Sequence, residues 1–328
     1  MHSRRLAVFA AAMIFPIVLS LGGRAAAETY PTKPIRLVVA FGPGGPADVM
    51  ARLIAAGISP ILGQTVFVDN RPGAGGMLGA QAVAASEPDG YTLLLGNTAN
   101  LVISPLIYKD VHYDPAKAFA PVAILGVTPN ILIASKASGF KSVSDVIDYA
   151  RKNPGKLNYS SAGIGTPLHL IGEMFKQRLG LDVVHVPYKS GGQATEAVMS
   201  GETQFCFDSP EAALPAIENA SVLGLAVTGG KRIPQMTDLP TMIEAGVPDF
   251  VSVSFTGIVA PAQTPPDIVN KLNLAIKQAL ESEKVRTVLD RLAVQAQPGS
   301  PDAFTAFLTE ERAQWGAVIK HANIHLAE

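Results

Sequence analysis

Cysteine is nearly absent from this sequence, with Cys206 as its only representative in 328 residues. A single cysteine excludes an intramolecular disulfide. The surrounding stretch, TQFCFDS, predicts an apolar strand, and nothing in the sequence places a base beside the thiol to activate it. We therefore expect a buried, inert thiol.

The sequence also lacks an excess of charge of either sign. Its 26 basic and 27 acidic side chains give a net charge of −1, and charged residues make up only 16% of the chain. Because nucleic acids are bound through a surplus of basic residues, this balance argues against a nucleic-acid partner. An anionic ligand must instead be held by local geometry.

Motifs of common enzyme classes are missing as well. The sequence contains no C-x-x-C, no H-E-x-x-H and no G-x-S-x-G, and its TGGKR stretch lacks the other residues of a phosphate-binding P-loop. Its six histidines are scattered without the spacing of metal ligands. We therefore expect neither a metal nor a cofactor, and a protein that holds its ligand without transforming it.

One long apolar run is present, and it stands at the N-terminus. HSRR precedes LAVFAAAMIFPIVLSLGG, and Ala25 and Ala27 form an A-x-A cleavage signal. This order is typical of a secretory signal peptide, so residues 1–27 are predicted to be removed and the mature protein to lie in the periplasm. The alternative, a retained membrane anchor, is disfavoured by Pro16 within the run.

The rest of the chain alternates apolar strand patterns with helical patterns of about ten to fifteen residues. Such alternation predicts an α/β fold built from parallel sheets that are covered by helices on both faces. The first unit is the strand IRLVVAF, followed by a helix predicted over residues 47–61. The length fits one large domain or two of ordinary size.

Three loops rich in small residues stand between a strand and a helix: FGPGGPAD, SAGIGTPLH and PYKSGGQ. A helix N-terminus presents unpaired N–H groups to an anion. In open α/β sheets, ligands bind beyond the carboxyl ends of the strands. If one loop lies in one lobe and two in the other, they face each other across a cleft that closes on its ligand by hinge motion.

The first loop also fits another function. Gly42-x-Gly44-x-x-Ala47 matches the dinucleotide fingerprint, and Asp69 ends the next strand, where a ribose contact is expected. An exported oxidoreductase is therefore the alternative hypothesis. It is disfavoured because two prolines remove N–H donors from the loop and because the exported compartment has no free nicotinamide pool.

Several polar residues have two interpretations. Asp48 and Arg52, four residues apart on the first helix, form an exposed ion pair or offer Asp48 to a ligand amine. His169, in a first helical turn, packs and caps its helix or contacts the ligand. The ammonium group of Lys189 is solvated on its loop or contacts the ligand. Asp208 caps the next helix or approaches the ligand.

Five stretches carry a resemblance to a known family: YPTKPIRLVVAFGPGGPADVMAR, VDNRPGAGGMLGA, PDGYTLLLGN, SSAGIGTPLHLIGEMF and VPYKSGGQA. Their order and spacing resemble the tripartite tricarboxylate transporter substrate-binding proteins, also called the Bug family. The resemblance implies a type II periplasmic-binding-protein fold, with two Rossmann-like lobes joined by a two-segment hinge and a ligand cleft between them. It also implies delivery of a mono- or dicarboxylate or an aromatic acid to membrane permease subunits; a sensor protein is the alternative partner.

The resemblance also implies the domain boundaries and the ligand contacts. Lobe 1 is expected over residues 28–127 and 254–328 and lobe 2 over residues 128–253, in a monomer, with the segments AILGVTP and SVSFTG as the hinge. The residues expected at the ligand are Phe41, Gly42, Gly44, Gly45, Ala47, Asp48, Asn97, Asn100, Ser161, Gly163, Gly165, Thr166, His169, Tyr188, Lys189, Gly191 and Asp208.

Two departures from the family pattern affect the expected ligand. This chain has Pro46-Ala47 where many relatives carry a hydroxyl residue, and Asn100 follows the LLLGN strand where relatives often have a histidine. Both changes leave fewer hydroxyl groups around the pocket. They favour a larger and more apolar acid.

Overall fold

The computed structural model describes residues 30–109 and 111–326, so the predicted signal peptide lies outside the described residues. Within these ranges the strands are β1 (Ile35–Val39), β2 (Val66–Asn70), β3 (Thr92–Asn97), β4 (Phe119–Pro129), β5 (Ile131–Ser135), β6 (Leu157–Ser161), β7 (Val183–Pro187), β8 (Phe205–Asp208), β9 (Val222–Val227), β10 (Val253–Pro261) and β11 (Gln295–Ala296).

The helices of the same ranges are α1 (Pro46–Leu62), α2 (Met77–Ala84), α3 (Ser104–Ile107), α4 (Pro115–Ala118), α5 (Val143–Lys152), α6 (Pro167–Leu179), α7 (Gly191–Ser200), α8 (Pro210–Glu218), α9 (Pro266–Glu281), α10 (Glu283–Arg291) and α11 (Pro301–Ala322). A π-helical turn, Ala99–Ile103, leads into α3. None of the helices in the described part of the chain combines the length and apolarity needed to cross a membrane.

Most helix starts follow from local chemistry. Ser142, the N-cap residue of α5, accepts a hydrogen bond from the backbone N–H of Asp145 at 3.2 Å. Ser190 caps α7 in the same way. Gly63 and Gly180 end α1 and α6 in the left-handed conformation. Helices α6 and α7 have both a hydroxyl cap at the start and a left-handed glycine at the end, and these residues set their lengths.

The strands form two sheets, one in each lobe. The first has the order β11-β4-β10-β3-β1-β2 and the second the order β7-β6-β8-β5-β9. Strands β2, β1 and β3 are parallel, as are β7, β6 and β8. These six strands confirm the predicted strand–helix–strand units.

The prediction of wholly parallel sheets is wrong, because both sheets are mixed. Strand β10 is antiparallel to β3 and β4, and β5 is antiparallel to β8 and β9. The reason is the route of the chain between the lobes. A chain that leaves β4 at the cleft enters the second sheet from the cleft side, so β5 runs opposite to β6 and β8. The returning chain enters β10 from the same side.

The two predicted hinge segments are neighbours. The end of β4 pairs with the start of β10, with Val253 opposite Pro129 and Ser254 opposite Thr128. Asn130 alone separates β4 from β5, so the chain passes from one sheet to the other within one residue. Both passages between the lobes therefore lie side by side at the cleft.

Helix α11 contacts both lobes. It packs against β4 of the first sheet and α6 of the second lobe. Gln314 on α11 donates to the carbonyl oxygen of Val251 at 3.4 Å, and buried Trp315 donates to Glu311 at 3.0 Å. One buried cluster includes Trp315, Ile319 and Phe175, so the apolar core is continuous from one lobe to the other.

Two further predictions have clear outcomes. Cys206 is 1% exposed, and burial raises the pKa of its thiol, which confirms the expected inert residue. The pattern of the segment TMIEAGVP predicts a short helix, but this prediction is wrong, because Thr241 is in a β-bridge and residues 242–246 form turns. Thr241 forms a β-bridge with Val227, and the Met242 N–H donates to the Val227 carbonyl oxygen at 2.9 Å. These bonds hold the start of the segment in an extended conformation.

Candidate ligand-binding cleft

A cavity of about 230 Å³ lies between the lobes at the carboxyl ends of the parallel strands. The first lobe contributes mainly the start of α1, the end of β3 and β10, and the second lobe contributes the starts of α6 and α8. The residues that line it include polar side chains and residues at helix starts: Pro46, Ala47, Asn97, Thr98, Thr128, Asn130, Pro167, Ser209, Glu211 and Thr256. Among the described residues that line it, none is lysine or arginine.

The first loop presents the N-terminus of α1 to this cavity. Gly45 is the extended N-cap residue, and Pro46 occupies the first helical position. The first bond at this end of the helix runs from the Val49 N–H to the Gly45 carbonyl oxygen at 3.0 Å. The N–H of Ala47, one residue inside the helix, therefore has no intrahelical acceptor and is available to bind an anion.

Asp48 holds the first loop in place. Its carboxylate accepts hydrogen bonds from the Gly44 N–H at 2.9 Å, from Arg52 Nε at 2.9 Å and from Asn70 Nδ2 at 3.0 Å. The bonds from Arg52 and Gly44 lower the pKa of Asp48 to about 2. The predicted ion pair with Arg52 is confirmed, although Asp48 is buried where we expected an exposed pair.

The same network places Phe41 and Asn100 together. Asn70 Nδ2 also donates to the Phe41 carbonyl oxygen at 3.1 Å. A Cβ on Gly76 would lie 3.0 Å from the Phe41 ring and 3.1 Å from Asn100 Cβ, so the three residues are in close contact. Glycine at this position, with φ of 90°, allows that approach.

The end of β3 forms a reciprocal asparagine turn. The Asn97 N–H donates to Asn100 Oδ1 at 2.8 Å, and the Asn100 N–H donates to Asn97 Oδ1 at 3.1 Å. Tyr113 donates to the Asn100 carbonyl oxygen at 2.7 Å. Asn100 is fully buried, yet its Nδ2 has no hydrogen-bond partner in the described part of the chain. The turn thus holds a free donor beside the first loop.

The second loop is tied together by its own hydroxyl groups. Thr166 accepts from the His169 N–H at 3.4 Å and donates to the Gly163 carbonyl oxygen at 2.8 Å. Ser161 accepts from the Gly163 N–H at 3.1 Å. These two hydroxyl groups, which we expected at the ligand, are engaged within the loop and fix its shape.

Gly165 brings the second loop against the first lobe. With φ of 79°, it lies where a Cβ would be 2.8 Å from Ile107 Cδ1 and 3.2 Å from Leu326 Cδ1. Ile107 ends α3, and the Leu326 N–H donates to the Ile107 carbonyl oxygen at 3.1 Å. A side chain at Gly165 would require the ends of these two side chains to shift, and the positive φ would strain any other residue there.

Two stacked histidines support the second loop from below. The ring centroids of His169 and His185 are 4.0 Å apart, and His185 stacks in turn on Tyr159 at 4.8 Å. His169 Nδ1 accepts from the Gly165 N–H at 3.1 Å, and His185 Nε2 lies 2.7 Å from Ser161 Oγ. Burial lowers the pKa of each histidine to about 4. His169 is therefore a packed, neutral support of the loop.

Acid should destabilise the protein through these two rings. In the unfolded chain each ring takes up a proton near its ordinary pKa of 6.5, whereas the pKa in the folded protein is about 4. The unfolded state binds more protons in this window, so the free energy of unfolding falls as the pH drops from 6.5 to 4. At about 1.4 kcal/mol per pKa unit, the shift from 6.5 to about 4 at one ring alone corresponds to about 3 kcal/mol, and we expect a loss of at least this size.

Urea unfolding of the wild type and of a His169→Asn, His185→Gln double variant at pH 7 and pH 4 measures this effect. The amide groups take the place of the ring nitrogens in these hydrogen bonds without titrating. Burial raises the pKa of Asp208 to about 6 and that of Glu311 to about 7, and these two groups make stability depend on pH in the opposite direction. Both proteins contain these carboxyl groups, so their contribution cancels and the difference between the proteins reports the histidines alone. A difference in stability that does not change with pH would contradict the assignment.

The third loop lies next to the second and above Asp208. The Tyr188 N–H donates to the Ser161 carbonyl oxygen at 2.9 Å, and Lys189 is exposed. A Cβ on Gly191 would be 3.7 Å from Asp208 Oδ1. The carboxylate of Asp208 accepts hydrogen bonds from the Ser209 N–H at 2.8 Å and from the Thr195 hydroxyl. The buried Asp208 is thus held by its neighbours next to the third loop.

The structure thus brings only part of the predicted set to the cavity wall. Ala47 and Asn97 line it, whereas the other predicted residues stand in the loops around it or beneath them. Sequence analysis missed Asn130, Ser209 and Glu211, which line the cavity. Ser209 and Glu211 stand between a predicted strand and a predicted helix, the same pattern that identified the third loop, so they could have been found. No comparable pattern marks Asn130.

The residues of the dinucleotide hypothesis are engaged elsewhere. Asp69, the expected ribose ligand, accepts a hydrogen bond from Arg71 Nε at 2.8 Å, and Arg36 lies 3.9 Å away. The Gly44 N–H, expected at a pyrophosphate, donates to Asp48. Both contacts weaken the case for an oxidoreductase.

Comparison with known proteins identifies the relatives of this chain. The family model described as "Tripartite tricarboxylate transporter family receptor" matches residues 50–324. Protein BugT of Bordetella pertussis (strain Tohama I) is 33% identical over 317 residues, which cover 95% of this chain and 96% of BugT.

Solved structures match over nearly the same length. Rpa4515 of R. palustris, solved with adipate, is 36% identical with a TM-score of 0.76, covering 90% of this chain and 99% of that chain. MatC (Rpa3494) from Rhodopseudomonas palustris, solved with bound malate, is 34% identical with a TM-score of 0.71, covering 88% of this chain and 100% of that chain. The two-lobed fold is thus common to all three.

Proposed function

The chain belongs to the tripartite tricarboxylate transporter receptor family, a family of solute-binding proteins, and we propose that it captures a small organic carboxylate between its lobes. We further propose that it does so in the periplasm and delivers the carboxylate to the membrane subunits of a tripartite transporter. The moving bodies are residues 28–127 with 254–328 and residues 128–253. Closure rotates them about the paired ends of β4 and β10.

One observation carries the proposal of a carboxylate ligand. The interlobe cavity is lined at the start of α1 by Ala47, whose N–H is a neutral donor without an intrahelical acceptor, and none of the described residues that line the cavity is lysine or arginine. A charge-assisted hydrogen bond contributes about 1.5–3 kcal/mol, so about four to six such bonds support micromolar affinity after the costs of association.

The relatives support particular acids as first candidates. Rpa4515 was solved with adipate and MatC with malate, and both are dicarboxylates. The lining of the present cavity includes Met50, Phe255, Leu292 and Val294 beside its polar groups. A dicarboxylate with an apolar chain between its ends suits this mixture of donors and hydrocarbon.

A thermal-shift screen of the purified protein tests the proposal. We expect a C4–C6 dicarboxylate to raise the melting temperature, because binding at a hundredfold excess over Kd adds about 2.7 kcal/mol of stability. Sulfate at the same ionic strength and nicotinamide dinucleotides serve as controls. A panel in which no organic acid shifts the transition would contradict the proposed function, and a shift with a dinucleotide would favour the oxidoreductase.

A further inference from the structure

Asn130 occupies the point at which the chain passes between the lobes. Its backbone N–H donates to Thr228 Oγ1 at 2.8 Å, and its carbonyl oxygen accepts from the Thr228 N–H at 2.8 Å. Thr228 also donates to the Ser252 carbonyl oxygen, and the Ser252 N–H donates back to Thr228 at 2.8 Å. The backbone of Asn130 is thus fixed to the second passage between the lobes without help from its side chain.

The side chain of Asn130 is placed differently from its backbone. The residue is 3% exposed and lines the interlobe cavity, and its Nδ2 has no hydrogen-bond partner in the described part of the chain. A buried donor without a partner costs about 1–3 kcal/mol, so such groups are kept where a ligand satisfies them.

We propose that Asn130 Nδ2 donates a hydrogen bond to a second acceptor group of the bound ligand, remote from the carboxylate held at the start of α1. The hinge residue then selects dicarboxylates over monocarboxylates of the same length. This inference rests on the proposed function and adds to it the residue that distinguishes dicarboxylates from monocarboxylates.

The two other polar residues on this side of the cavity, Ser209 and Glu211, are compatible with a preference for dicarboxylates. Ser209 is the N-cap of α8, but its hydroxyl makes no capping bond, so it is a second neutral group on this side of the cavity. Glu211 carries a charge that would repel a carboxylate, yet it is exposed, where water screens it. A distal carboxylate would therefore meet the buried carboxamide of Asn130 and the hydroxyl of Ser209, whereas the charge of exposed Glu211 is screened.

A bound acceptor at Asn130 would also connect the ligand to the hinge. The paired ends of β4 and β10 adjoin this residue, with Val253 opposite Pro129. A dicarboxylate would then touch α1 of the first lobe and the passage between the lobes at once. A monocarboxylate would reach only the first of these contacts.

Isothermal titration calorimetry with matched acids tests the inference. Adipate is compared with hexanoate and succinate with butyrate, on the wild type, on Asn130→Ala and on Asn130→Asp. The wild type should bind the better of the two dicarboxylates at least tenfold more tightly than the monocarboxylate of the same length. Asn130→Ala should reduce this preference to within threefold, and Asn130→Asp should weaken the dicarboxylate at least 100-fold at neutral pH by charge repulsion.

Ser252→Ala is the matched control. The Ser252 hydroxyl is also buried without a partner in the described part of the chain, beside the same passage, but Ser252 does not line the cavity. This variant should keep the preference of the wild type. Circular dichroism and melting temperatures verify that all variants fold, as the backbone bonds of Asn130 predict.

The possible outcomes separate the two proposals. An Asn130→Ala variant that keeps the full preference, or a wild type that binds only monocarboxylates, would overturn the role of Asn130 and leave the receptor function intact. A wild type that binds none of the organic acids would overturn the proposed function and the inference with it.

Discussion

Replacing Ala47 by aspartate should weaken carboxylate binding by at least about 100-fold. Ala47 lies in the first turn of α1 and lines the interlobe cavity. A carboxylate introduced there would stand about 5 Å from a ligand carboxylate at the helix start. At an effective dielectric constant near 20, the repulsion is about 3 kcal/mol, which corresponds to a loss of about 100-fold. Calorimetry with the acid found in the screen measures it.

The fold should tolerate this substitution, because an acidic residue in the first turn of a helix is stabilised by the helix dipole. Val49→Asp is the matched control: it adds the same charge to the same end of α1, but Val49 is exposed and does not line the cavity. The control should change affinity by less than about threefold, since exposed charges are screened. Equal losses for both variants would mean that the ligand does not sit at the start of α1.

Replacing Gly172 by alanine should destabilise the second lobe by about 1–3 kcal/mol. A Cβ on this residue of α6 would lie 2.1 Å from Cε2 of Tyr159. Tyr159 is fully buried, stacks on His185, and donates to Glu173 Oε1 at 2.7 Å, so its ring has no free direction in which to move. Overpacking of a rigid core site costs energy on this scale. Urea unfolding gives the change in the free energy of unfolding.

Gly316→Ala is the counterpart on α11. Gly316 is also a helical glycine, but a Cβ there would meet no atom within 4 Å. Alanine should therefore stabilise the protein by up to about 1 kcal/mol, because it restricts the unfolded chain and favours the helix. If Gly172→Ala proved as harmless as Gly316→Ala, the packing of α6 on Tyr159 described above would be wrong.

The helix starts could be predicted because they depend on neighbouring residues. Helix α1 was predicted over residues 47–61 and spans Pro46–Leu62, since the Gly-Pro loop before it and Gly63 after it set its ends. The same reasoning placed α6 and α7. Their loops are short-range features, and their glycines and capping hydroxyls act within a few residues.

The direction of several strands could not be predicted from such patterns. Strands β5 and β10 have the apolar sequence of any buried strand. Their antiparallel orientation follows from the side on which the chain enters each sheet. That side depends on pairs such as Val253 with Pro129, which are far apart in the sequence.

The site was predicted at the level of loops, and its individual donors were not. The sequence alone does not distinguish a loop serine or threonine that binds a ligand from one that forms hydrogen bonds with the backbone of its own loop. Thr166 and Ser161 turned out to serve the loop. Asn130 reads as a turn residue after a proline. Its importance arises only from the passage between the sheets and from burial of its carboxamide.

A crystal structure of the protein with the tightest-binding acid of the screen tests most directly how the anion is held. We expect one carboxylate within hydrogen-bond distance of the Ala47 N–H at the start of α1, and the distal acceptor of the acid within the same distance of Asn130 Nδ2. An acid bound outside the interlobe cavity, or held there by lysine or arginine side chains away from the helix start, would contradict the account.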